Sequence, residues 1–113
     1  MRIAEFSTWD IIKAVCINRN CLQEWIRLGV VKPTIRARGT GTRNRFTFDD
    51  VVKVNVFRHL VAIGIQRVHA SALVASIVDT DSPVSHEISK DVSIHINVRN
   101  IKNETEDLVR VLT

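Results

Sequence analysis

Apolar residues recur at helical spacing along most of the chain and switch to alternation in two places. Trp9, Ile12 and Val15 fall three apart, and Ser7 stands three residues before Asp10 as in a capping box. This predicts a first helix over Thr8–Val15. Cys16 and Ile17 then make a tight connection, and Asn18 is a suitable N-cap for a second helix reaching about Leu28. Gly29 closes that helix, and Pro33 prevents its continuation. Thr47 and Asp50 repeat the capping spacing and open a third helix from Phe48 to about Ile63. Its valines give it poor intrinsic helix propensity, so packing must hold it. Gly64 ends it, and a fourth helix is expected from Gln66 to Val78.

The first alternating stretch is Ile35-Arg36-Ala37-Arg38 and Arg43-Asn44-Arg45-Phe46, separated by Gly39-Thr40-Gly41-Thr42. It predicts a short hairpin. The second is a strand with Val92, Ile94, Ile96 and Val98 on one face and Ser93, His95, Asn97 and Arg99 on the other. Asp79 to Ser89, containing Pro83, reads as a polar connector. Asn103 and Glu106 cap a short last helix ending near Leu112. The expected fold is mainly α with a small β part: four helices and a β-hairpin wing over residues 1–78, then a connector, strand and short helix over 79–113. No internal repeat is visible.

With 113 residues, 45% of them hydrophobic, one core is expected. The opening MRIAEFSTWD lacks the apolar stretch of a signal peptide, and no run of about 18 apolar residues occurs. A cytoplasmic protein with its two cysteines, Cys16 and Cys21, reduced is the expectation.

Charge changes this picture. Residues 1–48 hold nine Lys or Arg against three acids, and residues 49–113 hold seven against nine. The basic half should seek a polyanion. In the second helix, Leu22, Trp25 and Ile26 form the core stripe, and Arg19, Asn20, Gln23 and Arg27 project from the other side. Arg pairs with guanine, and Asn or Gln with adenine, in the major groove. A polar outer face is common to amphipathic helices, so the hairpin carries the argument further. Arg36 and Arg38 share one face of their strand, as do Arg43 and Arg45. Paired across the turn, the four guanidiniums repel one another until a phosphate backbone neutralises them.

From Phe6 to Leu73 the sequence resembles the MerR-type winged helix-turn-helix. Cys21-Leu22-Gln23-Glu24-Trp25-Ile26-Arg27-Leu28-Gly29-Val30-Val31-Lys32-Pro33 is similar to that family's second helix and exit turn. Arg45-Phe46-Thr47 with Asp50-Val51 resembles the passage from wing to third helix, and Gly64-Ile65 the bend before the fourth. The resemblance implies the fold and DNA binding. Gln23 and Glu24 stand where the family usually has an Arg and an aromatic that help to grip DNA, and Asn44 stands where a wing Arg is common. Family regulators also continue into a long dimerisation helix and an effector domain, whereas this chain breaks at Asp79 to Pro83.

A lone strand at 92–98 leaves its backbone groups unpaired. A second copy could supply the ladder partner about a two-fold axis, which makes Ile94, Ile96, Val98, Leu108 and Leu112 the expected homodimer contacts. The alternative is that the tail packs on its own domain. His59, His69, His86 and His95 are dispersed, and the two cysteines lack a second ligand pair, so neither a metal site nor another cofactor is expected. No nucleotide or nucleophile motif occurs, and no enzyme is expected. The reading is a sequence-specific transcriptional regulator of double-stranded DNA, with the second helix in the major groove and the wing on phosphates. A protein-binding adaptor and an excisionase-like architectural DNA binder are the alternatives.

Overall fold

A computed structural model describes residues 5–34 and 45–112. Its elements are α1 (Thr8–Val15), α2 (Arg19–Arg27), α3 (Phe48–Ala62), α4 (Arg67–Ala75), β1 (Val84–Ser89), β2 (Val92–Ile96) and α5 (Val98–Arg110). The fold is mainly helical with a two-stranded antiparallel sheet.

The helix starts follow the capping chemistry of the sequence. Ser7 and Asp10 form a reciprocal capping box on α1, and Thr47 and Asp50 form another on α3. The Asn18 side chain accepts from the Cys21 amide at 2.6 Å. Between α1 and α2 the chain turns through Cys16, which adopts the left-handed conformation at φ 61°. Gly29 (φ 78°) and Gly64 (φ 93°) take positive φ after α2 and α3, where a side chain would strain the backbone. The buried stripe of α1 is Ile11, Ala14 and Val15, and Trp9, expected in it, is exposed.

Helix α3 is the central element. Val51, Val52, Val54, Asn55, Val56, Phe57 and Leu60 are all buried, so it is covered on several sides. Helices α1, α4 and α5 pack against it, which explains how a valine-rich helix persists. Phe46, fully buried, exchanges two backbone hydrogen bonds with Phe6, at 2.8 and 2.9 Å. No local pattern of residues marks that bridge, because its two residues are 40 positions apart. Most of the expected wing, residues 35–44, lies outside the described residues.

The tail departs most from expectation. Val84–Ser89, read as connector, forms β1 and pairs antiparallel with β2 through the two-residue turn Lys90-Asp91. The pattern Val84, His86, Ile88 inward and Ser85, Glu87, Ser89 outward is a period-two strand. Its histidine and serines disguise it as a polar loop. Strand β2 stops at Ile96, and Asn97 caps a helix that begins at Val98, five residues before Asn103. Val98, Ile101, Thr105 and Leu108 then recur at helical spacing along the inner side of α5, and Leu112 packs on the core just past its end.

The strand expected to need a second copy for its ladder finds its partner in β1 of its own chain. Ile96 and Val98 are buried in the core of their own chain, while Ile94, Leu108 and Leu112 pack partly buried against it. The boundary at residue 78 does not separate two cores, because α5 packs on α1 and α3. Asp81 accepts from Lys102 at 2.9 Å, and the Thr80 hydroxyl donates to Asp49 at 3.3 Å, so the short connector is tied on both sides. The fourth helix ends at Ala75 and is covered by α3 and by β1.

Candidate nucleic-acid interface

Helix α2 is fixed on its inner side by Leu22, which is fully buried, and by Trp25, whose ring meets Phe57 edge-on at 4.6 Å. Its C-terminal carbonyls are occupied in turn: Val30 and Val31 both donate to the Trp25 carbonyl. The helix therefore has a defined roll about its axis. At about 100° per residue, Arg19, Gln23, Arg27 and Asn20 fall within one sector of roughly 100°. All four are exposed. The structure brings together this half of the expected site.

Glu24 and Arg27 face each other at the edge of that sector. Arg27 Nε donates to Glu24 Oε2 at 3.0 Å and Arg27 Nη2 to Oε1 at 2.5 Å. The hydrogen bond from Arg27 holds the Glu24 carboxyl below the usual range, and the same bond raises Arg27. Arg27 is thus engaged by an acid in its own helix.

Arg67, the first residue of α4, lies close enough to α2 for its charge to act on both Glu24 and Cys21. Sequence reading missed it, because it sits 40 residues from Arg27 in a different helix. Burial pushes the Cys21 thiol up, and Arg67 partly offsets this.

Of the expected wing residues, Arg36, Arg38 and Arg43 lie outside the described residues, and Arg45 is exposed. The two ends of that basic segment are described, and one carboxylate holds both. Asp50 Oδ2 accepts from the Thr34 amide at 3.2 Å, from the Thr34 hydroxyl at 2.6 Å and from the Thr47 amide at 2.9 Å. The chain leaves and returns at one point, directly at the N-terminus of α3.

Among the described residues, no group of three or more His, Cys, Asp or Glu is placed to hold a metal ion, and no helix is long and apolar enough to cross a membrane. The sequence matches no protein-family model and no curated protein.

Proposed function

We propose that the chain binds double-stranded DNA through a winged helix-turn-helix of the MerR type, as a transcriptional regulator, with α2 in the major groove. The observation that carries this is the single exposed sector of α2 holding Arg19, Asn20, Gln23 and Arg27 opposite a fixed, buried face. Those side chains suit base edges and phosphates, and a helix of defined roll keeps them in register. The Asp50 clamp supports the wing: it closes the base of a segment containing Arg36, Arg38, Arg43 and Arg45. Arg67 adds a cation beside the reading helix. The MerR likeness rests on the residues quoted for it.

Homodimerisation loses the argument that suggested it, because the residues expected to mediate it cover their own core. A second reading, a protein-binding adaptor on the same fold, is favoured by the Glu24–Arg27 pair, which places an acid on the reading face and occupies one of its arginines.

The test is selection of binding sites from random duplexes by the wild type and by Arg19→Ala, Asn20→Ala and Gln23→Ala. Each substitution is expected to relax preference at one or two base pairs, with a loss of roughly 1–3 kcal/mol per lost bidentate contact. No enrichment of any duplex by the wild type, with capture of a protein ligand instead, decides for the adaptor.

A further inference from the structure

Folding brings two of the four dispersed histidines into contact. His69 on α4 and His86 on β1, 17 residues apart, approach with Nδ1 of the first 3.1 Å from Nε2 of the second. Their ring centroids are 5.3 Å apart and their planes are inclined by 50°. Both side chains are partly buried, so water reaches them.

The spacing suits more than a shared proton. Metal–imidazole bonds are about 2.0–2.1 Å long, so two nitrogens on one ion stand roughly 2.9 Å apart at a right angle and roughly 3.3 Å at the tetrahedral angle. The observed 3.1 Å lies between these values. An ion about 2.0–2.1 Å from both nitrogens lies off the line joining them, so each ring must turn by about 40° to aim its lone pair at that point. The backbones beneath the rings are held. Ala70 and Leu73 of α4 are fully buried, and β1 is paired through His86 to Ile94 while packing on α4. A chelating pair on two fixed elements loses little conformational freedom on binding.

We propose that His69 and His86 bind a divalent late transition-metal ion, of the zinc, nickel or copper kind, as a two-nitrogen chelate completed by water, and that the ion clamps the β1–β2 hairpin onto α4. Imidazole nitrogen selects these ions over magnesium or calcium, which prefer oxygen. A ring nitrogen must be free of its proton to ligate a metal, so protons compete with the ion and binding weakens in acid.

The full-length chain is titrated with Zn2+, and separately with Mg2+, while the imidazole resonances and the melting temperature are followed. Zn2+ is expected to shift the ring signals of His69 and His86 before those of His59 and His95 and to raise the melting temperature; Mg2+ is expected to do neither. His69→Gln and His86→Gln should each weaken Zn2+ binding by at least about tenfold, no less than loss of a supporting partner does. His95→Gln should leave it unchanged. Ring signals of His69 and His86 that stay fixed at millimolar Zn2+ overturn the proposal, and so does either Gln variant binding Zn2+ as tightly as the wild type. The wild-type resonances decide the matter even where a variant does not fold.

Discussion

The side-chain amide of Asn55 donates to the hydroxyl of Thr105 at 3.0 Å, with both residues fully buried and 50 positions apart. The bond crosses from α3 to α5 and does not stand alone. Arg58 Nε donates to Asn55 Oδ1 at 3.1 Å, and the Thr105 hydroxyl donates to the Ile101 backbone carbonyl at 2.7 Å. Glu104, beside Thr105, meets His59 at 3.0 Å and Arg58 at 3.4 Å. A polar pair inside an apolar interface fixes the register of two helices that hydrophobic contact alone would leave free to slide.

Asn55→Ala is therefore expected to destabilise the protein by about 2–4 kcal/mol, through the cavity and the partners left unpaired. Urea unfolding monitored by circular dichroism measures it. A loss below about 0.5 kcal/mol shows that the amide is dispensable.

Removing residues 79–113 is expected to leave residues 1–78 unfolded or aggregated. The deletion strips Ile96, Val98 and Thr105 from the core and uncovers α1 and α3. Far-ultraviolet circular dichroism and sedimentation of the truncated chain check this. A soluble, cooperatively melting 1–78 fragment contradicts it.

Two acids make opposite predictions for DNA affinity. Glu24→Gln removes an acid from the reading face and frees Arg27, so affinity should rise by about 3–10-fold, the scale of one charge-assisted contact. Asp50→Asn also removes an acid but loosens Thr34 and Thr47 at the base of the basic segment. Affinity should fall by a similar factor, against the sign of the charge change. Fluorescence anisotropy on one duplex compares them, and a gain of affinity in Asp50→Asn shows that the clamp has no part in binding.

Arg67→Ala should lower affinity for all duplexes alike, by about 3–10-fold, without altering sequence preference, as loss of a phosphate contact does. Anisotropy with several unrelated duplexes tests this. Unchanged affinity removes α4 from the interface.

The helical half of the fold was legible because its signals are local. Ser7 with Asp10, Asn18, and Thr47 with Asp50 are cap residues within one turn of the groups they satisfy, and α1, α2 and α3 begin where those residues say. The tail misled for two local reasons. Val98 extends the alternation of Ile94 and Ile96, so strand and helix share a residue pattern at their junction, and His86 occupies an inward position of β1. What stayed hidden is what only folding brings together: Phe6 with Phe46, Asn55 with Thr105, His69 with His86, and Arg67 beside α2. In the site, the outward face of α2 could be read from spacing. The engagement of Arg27 by Glu24 is equally local, an i, i+3 pair on one helix.

The proposed binding of duplex DNA through cations on α2 and the basic segment is tested by affinity measured across salt concentration. Each phosphate neutralised contributes about −0.9 to the slope of log affinity against log salt. Four such contacts predict a fall of roughly 100-fold between 50 and 200 mM salt, and a slope shallower by about 1–2 in Arg38→Ala/Arg43→Ala. Absence of saturable binding at 50 mM salt, or an affinity that does not change with salt, rules out such an interface.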